Sequence, residues 1–149
     1  MANRNRTTAL LQTSRISSDC EFSDISFQSA AGIYQERVEK EYELRINYFG
    51  GKIIAVKLDS QKNVNSKLDW RVIPPEKLTP VIVDLPSNIT AKCHTLMANL
   101  GLVFGCIDII VTLNGEYCFL EVNEMGQFLW IERANPEIRI LDAFCDFLL

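Results

Sequence analysis

Asp108, Glu121 and Asn123 stand in a stretch that is otherwise strongly apolar, CIDIIVTLNGEYCFLEVNEMG (106–126). The chemistry open to them follows from how a hairpin would align them. Asn114-Gly115 is the strongest short signal for a two-residue type I′ loop. Such a loop sets Leu113 opposite Glu116, Val111 opposite Cys118, Ile109 opposite Leu120 and Asp108 opposite Glu121. Alternation along the second strand then brings Asn123 to the Glu121 face. Two carboxylates directly opposite each other repel, and aliphatic neighbours worsen their desolvation. A hard cation between them removes the conflict. Mg²⁺ takes oxygen ligands, typically one or two carboxylates with phosphates and waters, and Asn123 adds a neutral oxygen. The spacing leaves a second arrangement open, with one carboxylate buried against Arg71 or Lys57 and the other at a solvated edge.

The elements that must position these groups are legible in outline. ELRINYF (43–49) runs through Gly50-Gly51 into KIIAVKL (52–58), a hairpin pattern. A two-residue turn there sets Glu43, Arg45 and Asn47 on one face, opposite Leu58, Val56 and Ile54. A polar comb facing aliphatics is expected of a cleft lining. IYQERV (33–38) reads as a further strand, and residues 59–86 as a proline-rich loop around a short DWRVI strand. SNITAKCHTLMANLG (87–101) predicts a helix with Ser87 as N-cap, Gly101 at C′, and Ile89, Cys93, Leu96, Met97 and Leu100 on its apolar face. The last 15 residues, NPEIRILDAFCDFLL, predict a helix capped by Asn135 with Pro136 at N1. Its expected stripe is Ile138, Leu141, Phe144, Cys145 and Leu148. Hairpins mixed with helices argue for an α+β fold, a mainly antiparallel sheet packed with two principal helices. Residues 1–30, with one short strand pattern and many Ser, Asp and Gln, read as a loosely organised segment preceding a lobe over 31–149.

Composition bounds the partners. The chain has 149 residues, 48% hydrophobic and 23% charged, with a formal charge of −4. That charge offers no attraction to nucleic acid or an anionic membrane. No apolar run approaches the ~20 residues of a membrane span, and the basic N-terminus lacks a secretory pattern. Five cysteines, an odd number without C-x-x-C spacing, point to a reduced, cytoplasmic protein without structural disulfides or zinc.

The pattern D-x(12)-E-x-N on this hairpin resembles the C-terminal half of the ATP-grasp ligases, and most nearly their microviridin and graspetide peptide maturases. Three further stretches carry the likeness, which covers roughly residues 31–149: YQERVEKEYELRINYFGGKIIA; DWR with a later LP before a helix; and LEVNEMGQFLWIE ahead of a terminal helix ending DAFCDFLL. The resemblance implies that Asp108, Glu121 and Asn123 hold Mg²⁺ bridging ATP phosphates. It implies that Glu36 and the main chain of Arg37 and Val38 hold the adenine, with Leu120 resting on it, although strict alternation turns Leu120 away from Glu121. Glu43 matches the carboxylate that takes the ribose hydroxyls. Arg45 suits the triphosphate or a substrate carboxylate, and Arg71 the acyl-phosphate end, because a guanidinium fork matches such groups. His94, the chain's one histidine, is expected to be an ordinary helix residue, and Glu124 to stay outside the ligand set.

The sequence also departs from the family. Cys106 stands where many relatives have Arg two residues before the metal Asp, and Asp59 where peptide-maturase relatives often carry His. The family's N-terminal domain and phosphate-gripping lobe have no counterpart before residue 31, so the chain is expected to be the C-terminal part of such an enzyme. The function implied is the catalytic lobe of an ATP-dependent carboxylate–amine or carboxylate–hydroxyl ligase. It would form amide or ester bonds through an acyl phosphate, with a ribosomal precursor peptide as partner and a homodimer left open. The alternative is a non-catalytic remnant or nucleotide-binding module of the same fold.

Overall fold

The computed structural model describes residues 34–62, 67–74 and 77–149. The chain divides into two compact units, Met1–Glu36 and Arg37–Leu149. In the first unit only Tyr34, Gln35 and Glu36 are described; they are exposed and outside any helix or strand. The strand pattern expected within residues 1–30 lies outside the described residues.

The second unit is built on the hairpin pattern of residues 43–58. β1 (Lys40–Phe49) and β2 (Lys52–Leu58) pair in antiparallel register, with Glu43 opposite Leu58, Arg45 opposite Val56 and Asn47 opposite Ile54, as the two-glycine turn requires. β3 (Val81–Ile82), β4 (Phe104–Thr112) and β5 (Tyr117–Asn123) complete a five-stranded antiparallel sheet in the order β3-β2-β1-β4-β5. Among the described residues three helices accompany it: α1 (Ser87–Asn99), α2 (Leu129–Ala134) and α3 (Ile140–Leu148). The α+β class read from the sequence is the observed one. No helix among the described residues is long and apolar enough to cross a membrane.

Period-2 alternation divides the apolar residues between the two faces of the sheet. Leu44, Ile46, Ala55, Ile107, Ile109 and Val111 pack against Ile89, Cys93 and Met97 of α1. On the other face Phe49, Val56, Leu58 and Cys106 pack against Phe128, Ile131, Ile138, Ile140 and Ala143 from the C-terminal segment. Each large aliphatic side chain so buried contributes about 1.5–3 kcal/mol of transfer free energy.

Several expected elements differ, each for a local reason. Residues 34–39 form no strand: β4 ends at Thr112, opposite Lys40, and among the described residues no partner continues past it. DWRVI is not a strand either. The Asp69 carboxylate accepts the Arg71 backbone N–H at 3.0 Å and winds Trp70–Val72 into a single 3₁₀ turn. Pro86, not Ser87, occupies the N-cap of α1, without a side-chain cap. Its C-terminus is as expected: Gly101, at φ 66°, takes the C′ position, with Leu102 N–H bonded to Met97 O and Gly101 N–H to Ala98 O. At the chain end Asn135 caps only one turn, accepting the Glu137 N–H at 3.1 Å. α3 therefore starts later, at Ile140, and its buried residues are Ile140 and Ala143, while Leu141 and Leu148 are exposed. α2 carries Trp130 and was not expected from the sequence.

Candidate functional site

The hairpin of β4 and β5 brings Asp108 and Glu121 together by a route the sequence hides. The connection is not the two-residue loop expected from Asn114-Gly115. Thr112 N–H bonds Glu116 O and Gly115 N–H bonds Thr112 O, each at 2.9 Å, so Leu113, Asn114 and Gly115 form a three-residue loop. Gly115 at φ 78° supplies the left-handed residue that closes it. The pairs nearest the loop are accordingly displaced by one: Val111 faces Tyr117 and Ile109 faces Phe119, not Cys118 and Leu120. A bulge between Asp108 and Ile109 then absorbs Leu120 and restores Asp108 opposite Glu121, with Cys106 opposite Asn123. Paired residues share a face, so both carboxylates project to the same side of the sheet.

Two rows of side chains cross β1, β4 and β5 on that side: Arg45, Asp108 and Glu121 in one, Asn47, Cys106 and Asn123 in the next. Burial grades along the first row. Arg45 is buried, the Asp108 side chain retains 18% exposure, and Glu121 is exposed. One terminal nitrogen of Arg45 donates to both Asp108 oxygens, at 2.9 and 2.7 Å, and the other donates to the Gly126 carbonyl. Arg45 Nε is buried without a hydrogen-bond partner. Burial pushes the Asp108 carboxyl above its usual range, Arg45 pulls it back, and Glu121 and Glu43 add to the upward push. The residue that donates to both Asp108 oxygens is thus Arg45.

In the second row Asn47 is fully buried, its amide donating to Ile54 O at 3.0 Å. Cys106 Sγ lies 3.2 Å from Asn47 Oδ1, and burial raises its thiol to about 11, so it is a neutral space-filler at ordinary pH. Asn123 Oδ1 accepts the Met125 N–H at 3.0 Å and opens the turn that delivers Gly126 to Arg45.

Arg71 approaches the same row from the 3₁₀ turn. Asp69 grips its guanidinium with both oxygens, at 2.9 Å each, and this raises the Arg71 pKa above its ordinary value. The Asp69, Glu121 and Asp108 charges act in the same direction, against the cost of burial. Glu43, expected on the open comb, is buried and ion-paired to Lys40 at 2.7 Å. Glu36 and Arg37 are exposed, the latter paired with Glu39, and Val38 is half-buried. Leu120 is half-buried at the bulge. His94 packs edge-on to Tyr48, Asp59 pairs with Lys57 and Lys62, and Glu124 is exposed.

Asp108, Glu121 and Asn123 form an all-oxygen donor set on one face, which suits a hard divalent cation. Among the described residues no cluster of three or more His, Cys, Asp or Glu could hold a metal. A cation here therefore depends on the Asn123 amide and on oxygens brought by a ligand, and it shares Asp108 with Arg45. Sequence reasoning missed Lys40 and Gly126. The signal for Gly126 was the NEMG run itself, where the glycine adopts φ 76° and its missing side chain leaves room for the Phe104 ring.

No protein-family model and no curated protein matches the chain. Solved structures do. The Chryseobacterium gregarium RiPP-associated ATP-grasp ligase, in complex with ADP and a leader and core peptide, is 33% identical over 76% of this chain, with a TM-score of 0.68. Macrocyclase MdnC of Microcystis aeruginosa MRC, bound with precursor peptide MdnA, is 35% identical over 74% of the chain, with a TM-score of 0.61. Macrocyclase MdnB of the same strain is 32% identical over 77%, with a TM-score of 0.60. The chain spans 34%, 34% and 40% of these three proteins. With its antiparallel sheet and this likeness, the chain belongs to the ATP-grasp family, in its graspetide-type branch.

Proposed function

We propose that residues 37–149 are the nucleotide-facing catalytic lobe of an ATP-dependent ligase that joins a carboxylate to an amine or hydroxyl within a ribosomal precursor peptide. The observation that carries this reading is the Asp108–Glu121 pair, restored by the Leu120 bulge and set beside Arg45 on one face. When bound, Mg²⁺ would supply charge neutralisation at the phosphates of ATP. Asp108, Glu121 and the Asn123 amide would hold it. Arg45 and Arg71 are the cations close to that position, and their forks suit a phosphate or a substrate carboxylate. Arg37, Val38 and Leu120 would meet the adenine, and Glu43 would take the ribose hydroxyls, as the family resemblance implies. The work of such a lobe is to position groups and to stabilise developing charge, with no protein nucleophile. The cytoplasm, where ATP is at hand, is the setting we assign.

Calorimetric titration with Mg-ATP, beside Asp108→Asn and Glu121→Gln, tests the reading. Binding that needs Mg²⁺ and weakens at least about tenfold (1.4 kcal/mol) in both variants is expected. Equal binding by all three proteins rules the cation assignment out. For the peptide, the readout is ATP-dependent loss of one water per crosslink by mass spectrometry.

One observation favours a second reading. Arg45 already engages both Asp108 oxygens, so the pair could serve structure alone, in a lobe that keeps the fold without catalysis. Absence of any Mg-ATP binding by the wild-type chain would decide for it.

A further inference from the structure

The turn that brings the Gly126 carbonyl to Arg45 also shapes the surface beside it. Gly126 N–H bonds Asn123 O at 3.2 Å and Gln127 N–H bonds Met125 O at 2.9 Å, a reversal tight enough to leave Gln127 at φ 49°. Among the described residues it is the one non-glycine with positive φ. Backbone strain of this kind is costly and clusters where a site requires it. The reversal leaves Met125 and Leu129 standing out, 77% and 50% exposed. Together with Gln127, Phe128, Trp130 and Phe144 they line a hollow of about 390 Å³.

Two features join this hollow to the charged row. Met125 and Gln127 flank the Gly126 carbonyl that Arg45 holds. Trp130 stacks on Trp70 with ring centroids 4.7 Å apart, and Trp70 precedes Arg71 in the 3₁₀ turn. The hollow therefore borders the supports of both arginines assigned to a phosphate or a substrate carboxylate. Its volume lies in the ~300–1,000 Å³ range of small-ligand sites, which are mainly apolar with a few polar groups. Its rings and thioether favour another ring packed at their edges. A contiguous exposed apolar patch with a polar rim marks a binding surface.

We infer that the hollow is a subsite for an apolar side chain of the peptide substrate, with aromatic rings favoured, adjacent in the peptide to the carboxylate-bearing residue assigned to Arg45 and Arg71. Charge complementarity sets the order. The acid goes to the guanidinium groups, and its neighbour falls on the apolar surface that adjoins them. The inference rests on the peptide-ligase reading and adds a side-chain preference to it.

Tryptophan fluorescence of the full chain reads the subsite without nucleotide, because Trp130 lines it and Trp70 is the one other indole. The probes are end-blocked peptides: Ala-Phe-Glu-Phe-Ala, with Ala-Ala-Glu-Ala-Ala and Ala-Phe-Gln-Phe-Ala as controls. We expect the first to bind about tenfold more tightly than either control. The margin over the alanine peptide should vanish in Leu129→Asn and in Met125→Ser, two uncharged changes at exposed positions that leave the thermal midpoint near wild type. Equal affinities, no detectable binding of any peptide, or a margin retained in both variants overturns the inference. Binding that follows Phe but ignores the change of Glu to Gln detaches the hollow from the arginines and overturns it too. So does a concentration-dependent dimerisation of the wild-type chain that Leu129→Asn abolishes, since the surface then belongs to a second copy. Mg-ATP titration keeps the two readings apart. The peptide margin without Mg-ATP affinity leaves a peptide-binding module with this subsite and the ligase reading fallen; Mg-ATP affinity without the margin does the reverse.

Discussion

Arg45 on β1 holds both carboxylate oxygens of Asp108 on β4, at 2.9 and 2.7 Å, and reaches with its other terminal nitrogen to the Gly126 carbonyl beyond β5. One side chain thereby spans three consecutive strands of the site. Removing either partner leaves the other charge buried and uncompensated. We predict that Arg45→Met and Asp108→Asn each lower unfolding free energy by about 3 kcal/mol, and that the double variant loses much less than their sum. Urea denaturation of the four proteins checks this; additive losses would mean that the two residues do not act as a pair.

Glu121 should behave differently, although it faces Asp108 across the same ladder. It is exposed, so neutralising it removes a like-charge repulsion at little cost in solvation. Glu121→Gln is expected to leave stability within about 0.5 kcal/mol of wild type, or slightly above it. The same change should still weaken Mg-dependent nucleotide binding. Parallel thermal melts and titrations separate the two effects, and a strongly destabilised Glu121→Gln would contradict the exposed geometry.

The path to this pair shows what the sequence could and could not tell. Asp108 and Glu121 are partners as the spacing suggested, but through two compensating departures. A three-residue loop shifts the register near the turn, and the bulge at Leu120 shifts it back. Asn-Gly signals a tight turn strongly, yet it does not choose between a two-residue loop and a three-residue loop with glycine in the left-handed region. The bulge at Glu41 was equally hidden, and with it the Lys40–Glu43 pair, since strand alternation assumes no extra residue. Regular elements with one dominant pattern, β1, β2 and α1, were legible. The terminal helix was misplaced because Asn135 and Pro136 are good start signals that the chain spends on an isolated turn. Side chains that serve local backbone bonds, such as Asp69, override the apolar pattern around them.

Two glycines of similar backbone conformation should respond unequally to alanine. Gly115, at φ 78°, has nothing within 4 Å of an added Cβ, so Gly115→Ala meets only the left-handed penalty of about 1–2 kcal/mol. Gly126, at φ 76°, would place its Cβ 2.5 Å from the Phe104 ring and 3.2 Å from that of Phe128. Overpacking adds about 1–3 kcal/mol, and the displaced carbonyl would release Arg45. Gly126→Ala is therefore predicted to be the more destabilising of the two by at least about 1 kcal/mol, and to weaken nucleotide binding as well. Equal losses in chemical denaturation would refute the steric account.

Stability should also fall on the alkaline side, for a reason rooted in the α1 face of the sheet. Cys93 is buried between the helix and the strands, and burial raises its thiol pKa. In the unfolded chain the same thiol gives up its proton in the ordinary range, about pH 8–9. As pH climbs through that range the unfolded state binds fewer protons than the folded state, so unfolding becomes progressively easier. Below it both states hold the proton and the group has no effect. Denaturant midpoints measured from pH 7 to pH 10 should thus decline, and decline less in Cys93→Ala, where the remaining slope belongs to other groups such as Cys106. An identical slope in the variant would show that Cys93 is not held neutral by its surroundings.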